Sequence, residues 1–361
     1  MSHYSIAATA QWFLEGSRFY GARGFRNAAA SFAPDDLNVD MRGRVACVTG
    51  ANSGIGYSAA KSLAQRNCTV HMLCRNQERG EQARTRVTEE TGNDDVHLHV
   101  VDVSDFQQVE SFATSFLDGN PSLNVLINNA GGMPAERTQN RQGHEAVMAT
   151  MLGGTHLLTK LLLPALENAA AAEAAETLTP TTAVAPSSGD AAGVASDAGS
   201  AGRSGVRGAG ARVINVSSAG MYTVSGKGIS KDLESRRVDP WDATVVYAFA
   251  KRAQITLTER WAASHRSVCF NSMHPGWADT PGLAVGMPGF HKAQAGSLRS
   301  SEGGADTIVW LACSETAGKE TGKFWFDRKA RRTHMPLAGT RASEEEEQAL
   351  WDAAERLCSD R

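Results

Sequence analysis

The chain has 361 residues, 42% of them hydrophobic and 21% charged, with a net charge of −3; it can bury a large core and offers no electrostatic case for nucleic-acid binding. Its six cysteines, Cys47, Cys68, Cys74, Cys269, Cys313 and Cys358, contain no C-x-x-C spacing, which argues against a zinc knuckle or redox pair and suits a reducing compartment. The first twenty residues lack a basic start followed by an apolar run, and the best apolar run, 157–166, is broken by Lys160 and Pro164, so neither a secretory signal nor a membrane span is expected.

Residues 1–40 precede the first strand. Ile6, Ala10, Phe13 and Tyr20 share one helical face, with Trp12 and Phe19 to one side. A helix packing that face on the main domain is predicted. Peripheral membrane contact through residues 1–32 is the rival reading, disfavoured by a polar face that is not notably basic.

From Arg44 short apolar runs alternate with amphipathic stretches. RVACVT, TVHMLC, VHLHVVDV, LNVLINN, RVINVSS and VCFNSMHP read as strands, and 322–326 as a short last one. Helices are predicted at 54–65, about 77–90 and about 105–117, with others between the later strands. Repeated βα units imply an α/β fold, a Rossmann-like doubly wound parallel sheet in a single domain with an N-terminal helical extension. Its expected bounds are 41–338.

Residues 168–211 break the rhythm. They are mostly Ala, Gly, Ser, Thr and Pro, too poor in apolar area to offset their ordering entropy, so a low-complexity insertion is predicted. The basic run Arg328–Lys329–Ala330–Arg331–Arg332 reads as a solvated loop. A C-terminal helix is expected within 339–361, where Ser343 precedes Glu344 to Glu347 as an N-cap. His97 and His99 alternate on a strand with no further ligand nearby, so they read as structural and no metal site is expected.

Two stretches carry chemistry. In VTGANSGIGYSAAKSLA, Gly50, Gly54 and Gly56 sit where strand becomes helix. Bare backbone there lets a pyrophosphate approach a helix N-terminus. At the end of the second strand Arg75 stands where an acid often meets ribose hydroxyls. Arginine suits a 2′-phosphate, so NADP(H) is expected over NAD(H). In VVYAFAKRAQ, Tyr247 and Lys251 are four residues apart, about one helical turn, and share a face.

TGANSGIG, DVSD at 102–105, NNAG at 128–131, NVSSAG at 215–220, YAFAK and HPGWADT occur in this order. Together they resemble the short-chain dehydrogenase/reductase family over residues 44 to about 282. FYGARGF, ERWA, MHPGWADTPG, MPGFH, DRK and THMPLA extend a resemblance to one orphan branch of that family over nearly the whole chain.

The resemblance implies a catalytic set of Ser218, Tyr247 and Lys251, with Ser217 as the alternative serine. It adds Asn52, Ser53 and Ile55 to the glycine cradle and makes Asp102 and Val103 adenine contacts. Asn129, Ala130 and Gly131 would line the ribose side, and Pro275, Gly276 and Thr280 the nicotinamide loop. Asn128 would stabilise the central strand, and Trp277 would be a pocket wall or core. Met151 falls where the family commonly has an asparagine that supports a water on the lysine's proton route. The relay is therefore expected to be slower, to use another group or to be absent; His156 is a candidate substitute or, more commonly for a lone histidine, a packing residue, and Met151→Asn is expected to raise turnover. Residues 281–300 would form a lid, whose Leu283, Val285, Met287 and Phe290 suggest a lipophilic substrate.

The expected function is NADP(H)-dependent interconversion of a carbonyl and an alcohol on a lipophilic small molecule. The rival is a low-turnover NADP(H)-binding regulatory or interaction protein. A homo-oligomer is expected, as is a soluble cytoplasmic location, with mitochondrial or membrane-surface association left open.

Overall fold

A computed structural model describes residues 4–178, 210–336 and 338–359. The N-terminal segment carries helices α1 (Ile6–Phe19) and α2 (Ala22–Ala29). Then follow β1 (Val45–Thr49), α3 (Gly54–Ala64), β2 (Thr69–Cys74), α4 (Gln77–Thr91), β3 (Val96–Val100), α5 (Phe106–Gly119) and β4 (Val125–Asn128). A short α6 (Ala146–Met148) runs through a π-wound segment (Ala149–Gly154) into α7 (Thr155–Leu178). The second half holds β5 (Ala211–Val216), α8 (Ala243–Ser264), β6 (Val268–Met273), α9 (Pro281–Gly286), α10 (Pro288–Gln294), α11 (Ser301–Cys313), β7 (Phe324–Phe326), β8 (Lys329–Arg331) and α12 (Glu344–Ser359).

The strands form one sheet in the order β3-β2-β1-β4-β5-β6-β7-β8. All pairs are parallel except the β7–β8 hairpin. Buried on both faces, β1, β4 and β5 read as near-continuous apolar runs, as central parallel strands must. One face packs Phe106, Leu158, Leu162, Val246 and Phe270 under α5, α7 and α8. The other packs Leu63, Val70, Ile127 and Ile308 under α3, α4 and α11. Each such side chain contributes roughly 1.5–3 kcal/mol when fully buried. The order reverses between β1 and β4, which opens a crevice at the carboxyl ends of those strands.

Four expectations are corrected. The predicted insertion begins too early, because α7 continues to Leu178. Its alanines are strong helix formers; Ala169 and Ala170 are buried, and Glu173 pairs with Arg44. The insertion's predicted end is one residue late, since Ala211 already belongs to β5, and residues 179–209 lie outside the described residues. Second, Ala146–Glu176 is long and apolar enough to cross a membrane by composition, and 72% of its most apolar window is buried inside the protein.

Third, α1 docks only part of its predicted face: Tyr20 at its end is buried, but Ile6, Ala10 and Phe13 are exposed. Ala8 and Gly16 are buried and Trp12 packs on Trp277, while Ile6 is 83% and Leu14 72% exposed. A Cβ at Gly16 would overlap the Trp277 ring. Close approach through small residues decides the docked side. Fourth, the basic run is no solvated loop. Lys329–Arg331 is β8, Arg328 ion-pairs with Asp306 at 2.7 Å and lies over the Phe32 ring at 4.1 Å, and Arg332 bonds Glu15.

At the C-terminus, Ser343 Oγ accepts from Glu346 N and Glu346 Oε2 accepts from Ser343 N, a reciprocal capping box.

Candidate active site

The glycine turn leaves β1 at Gly50 and enters α3 at Gly54, both in left-handed conformations with φ +65° and +55°. A side chain would be strained at either. A Cβ at Gly56 would overlap Asn129 Nδ2 and the Gly50 carbonyl. Asn52 and Ile55 are half-buried and Ser53 is exposed. Ser53 caps α3 without a side-chain bond, whereas the N-caps of α4, α5, α8, α9 and α11 each supply a side-chain acceptor. Uncapped N–H groups beside bare backbone fit a pyrophosphate.

Across the crevice, Thr49 Oγ1 accepts from the backbone N–H groups of Asn129 and Ala130, both at 2.9 Å. Asn129 Nδ2 donates to Thr49 O at 2.9 Å and Gly50 O at 3.3 Å. The Asn129 amide thus ties β4's turn to β1's turn. Gly131 lies over Met151, where a Cβ would come within 2.8 Å of Cε. Asn128 Nδ2 donates to Thr159 Oγ1 and Asn215 Oδ1 inside the central sheet.

On the outer side, Arg75 is exposed at the end of β2. Asp102 Oδ1 accepts from Ser104 N at 2.9 Å and Ser104 Oγ at 2.7 Å, and Val103 is buried against Gly154.

Tyr247 and Lys251 leave the same face of α8, with Nζ 5.4 Å from the centre of the phenol ring. The helix starts cleanly because Asp242 caps Thr244 and Val245. Lys251 is buried; Nζ donates to Val216 O at 2.6 Å and Gln254 Oε1 at 3.2 Å. Burial favours the neutral amine and pulls Lys251 down to about 7. Burial pushes the Tyr247 phenol up to about 12, against a lowering hydrogen bond with the Ser218 side chain. The two serines separate here. Ser217 is buried and its Oγ donates to the Lys251 carbonyl at 2.8 Å, while Ser218 is half-open beside Tyr247.

The loop after β6 is held from the N-terminal segment. Gly276 has φ +76°, and a Cβ there would strike the Arg299 guanidinium and come within 2.6 Å of the Tyr20 carbonyl. Trp277 N donates to Tyr20 O at 2.9 Å. The Trp277 ring belongs to a cluster with Trp12, Phe13, Tyr20 and Phe290, which makes it core. Pro275 precedes this turn, and Thr280 closes it by capping α9 through Leu283 N at 3.1 Å. Arg299 pairs with Asp327 at 2.7 Å and donates to Tyr20 O at 2.8 Å.

Several assignments move. His156 is buried and bonded to Glu355 of α12 at 2.9 Å, outside the site. Met151 meets the site through its backbone carbonyl, which accepts from Gln254 Nε2 at 2.9 Å. His99 stacks on His71, which bonds its Nε2 at 2.8 Å, and the His97 ring lies tilted against His71. Sequence reasoning missed Gln254, Thr49 and the Arg299–Asp327 pair. Only Gln254 had a local signal, its place on the same helix face as Lys251.

The sheet order, the glycine turn and the α8 pair define a class of nucleotide-binding oxidoreductase, and the chain belongs to the short-chain dehydrogenase/reductase family. The family profile described as short chain dehydrogenase matches residues 44–202. The chain is 40% identical over 354 residues to human dehydrogenase/reductase SDR family member 12, covering 98% of each. It is 41% identical over 133 residues to mouse retinol dehydrogenase 11, 37% of this chain and 42% of that protein. The crystal structure of an uncharacterised protein from Mycobacterium paratuberculosis superposes with a TM-score of 0.60 at 22% identity, covering 90% of this chain and 97% of the other. That similarity shows the shared fold.

Proposed function

We propose that this oxidoreductase interconverts a carbonyl and an alcohol on a lipophilic small molecule with NADP(H). The observation that carries the reading is the Ser218–Tyr247–Lys251 cluster beside a crevice whose uncapped helix start fits a dinucleotide. The bound dinucleotide supplies or takes the hydride. Tyr247 gives a proton to the substrate oxygen in reduction and takes it back in oxidation. Ser218 Oγ bonds the same oxygen as charge grows on it. The Lys251 ammonium favours the phenolate form of Tyr247 through its charge. Gly50, Asn52, Ser53, Gly54, Ile55 and Gly56 cradle the pyrophosphate, and Asp102 and Val103 flank the adenine. Asn129 shapes the ribose wall through the turn it holds, with Ala130 and Gly131 beside it. Pro275, Gly276 and Thr280 present the loop for the nicotinamide.

Arg75 is the residue that selects NADPH in this reading, by pairing with the 2′-phosphate. Arg75→Ala is expected to weaken NADPH binding about tenfold and leave NADH within about twofold, as one charge-assisted contact is lost. Fluorescence titration with both cofactors checks it; equal losses for both would remove Arg75 from that role.

The lid region supports a lipophilic substrate. Leu283 and Met287 are half-buried on α9 and after it, and Phe290 packs on Trp277 at 5.1 Å.

The outward side of α1 supports peripheral contact with an anionic lipid surface. Of the exposed large hydrophobics among the described residues, Ile6, Phe13, Leu14 and Phe19 lie on α1, Val100 on β3 and Val285 on α9. Arg18, Arg23 and Arg26 are exposed on and after the same helix. An apolar stripe edged by cations suits the headgroup boundary. The double variant Ile6→Glu/Leu14→Glu should reduce flotation with phosphatidylserine-containing vesicles by about tenfold or more, since two buried apolar side chains are lost. Equal flotation of variant and parent, or none by the parent, removes the contact. Self-association by this face would show as a concentration-dependent mass in light scattering without flotation, and also removes it.

A further inference from the structure

We propose that Gln254 is a positioning residue that fixes the Lys251 ammonium beside Tyr247 and sets its proton affinity, by tying Nζ to the carbonyl of Met151. This rests on the roles given above to Tyr247 and Lys251.

Gln254 follows Lys251 by three residues on α8 and is 1% exposed. Its Oε1 accepts from Lys251 Nζ at 3.2 Å, and its Nε2 donates to Met151 O at 2.9 Å. The two partners orient the amide unambiguously, because an ammonium only donates and a carbonyl only accepts. Met151 lies in the π-wound Ala149–Gly154 segment. Such a segment departs from the regular helical bonding pattern and leaves carbonyls free to take other donors. The Gln254 backbone carbonyl accepts from Thr258 Oγ1 at 2.7 Å, which accepts from Asn215 Nδ2 at 2.9 Å. This turn of α8, from which the amide projects, is therefore tied to the same polar network that holds β4 to β5 through Asn128.

The surroundings leave few other influences on Lys251. From β5 it meets the Val216 carbonyl, and Ser217 Oγ is committed to the backbone carbonyl of Lys251, not to its ammonium. Tyr247 is the titratable group beside it on α8. Arg252 turns to Met221 Sδ, the Thr333 carbonyl and His334, and Glu145, at the start of α6, is spent on Val147 N and Met148 N. Glu259, also on α8, interacts with Glu347, Arg252 and Arg341. With Val216 O the other acceptor, Gln254 supplies one of the two hydrogen bonds from Nζ. Hydrogen bonds to a charged form stabilise it. An amide neither takes up nor releases a proton near neutral pH, so the link is fixed and acts on Lys251 alone.

The test reads Lys251 directly. NMR of protein carrying 13Cε-lysine follows the titration of each side chain, with Lys251 assigned by the signal lost in Lys251→Met. Gln254→Met keeps the shape and removes the acceptor; the Lys251 midpoint should fall by about one pH unit. Gln254→Glu places a carboxylate there; the midpoint should rise by about one unit or more. The alkaline limb of kcat/KM should move in the same directions, with the dinucleotide KM held within about twofold. Midpoints unmoved in both variants overturn the proposal, including the case where only the melting temperature falls. Where Gln254→Met does not fold, the isosteric Gln254→Glu decides alone. Shifted midpoints in a protein without turnover leave the positioning role standing and remove the proposed reaction instead.

Discussion

Tyr247→Phe should lower carbonyl reduction by about a thousandfold while leaving dinucleotide affinity within about twofold, the range expected when a positioned general acid is removed. The substitution keeps the ring on α8 and deletes only the hydroxyl, so packing beside Lys251 is preserved. What disappears is the proton at the substrate oxygen and the bond to Ser218. NADPH consumption across a panel of lipophilic aldehydes and ketones gives the rate, and cofactor fluorescence gives the affinity. A variant retaining a tenth of the parent rate would assign the proton to another group. A parent protein that binds NADPH and reduces nothing in the panel would favour the low-turnover reading.

The pH dependence follows from the same pair. Burial brings Lys251 down to about 7, so the ammonium is present below that pH and lost above it. Its charge is what lowers the barrier to ionising Tyr247. In the free enzyme, kcat/KM for reduction should therefore decline as pH rises through about 7.

Asp327→Ala should cost about 3–5 kcal/mol of stability, because it strands a buried charge. Arg299 and Asp327 are 2% and 4% exposed at their side chains and pair at 2.7 Å. Arg299 also donates to Tyr20 O and Phe19 O and lies between the Phe25 and Phe326 rings. Burial raises the Asp327 carboxyl and Arg299 lowers it, with burial the larger influence. The pair as a whole is therefore no great source of stability, and breaking it is what costs. The double variant Arg299→Met/Asp327→Leu should accordingly be closer to the parent than Asp327→Ala. Urea denaturation of the three proteins measures the difference. A loss below about 1 kcal/mol for Asp327→Ala would mean that water or a neighbour compensates Arg299.

The sheet was legible because its pattern is local. Strand runs and helix periodicities sit within a few residues of the observed bounds, and the turn at Gly50–Gly56 announces itself by its glycines. Sequence periodicity could not tell which side of α1 docks. It marks the apolar face, while the contact is decided by how closely Gly16 lets the backbone approach Trp277. The strand β8 was hidden because Lys329 and Arg331 are charged and its pairing with β7 is an edge hairpin. The low-complexity reading of 168–211 gave composition priority over alanine's helix preference, and α7 overran it.

Within the site, Tyr247, Lys251 and Ser218 were readable as types at a spacing. The amide of Gln254 acquires its meaning only from the Met151 carbonyl, which lies 103 residues earlier in the chain. Arg299 and Asp327 meet across 28 residues, and Tyr20 reaches Arg299 across 279. Such couplings leave no periodic trace.

The β7–β8 hairpin also governs how the sheet ends. β7 would otherwise present a rim of unsatisfied peptide groups, and β8 occupies it with three residues, Lys329, Ala330 and Arg331, all exposed. A brief, cationic border is a poor template for another chain's strand. At this end a neighbouring strand would find only that three-residue charged border to extend, so growth of the ribbon from one copy into the next is discouraged there.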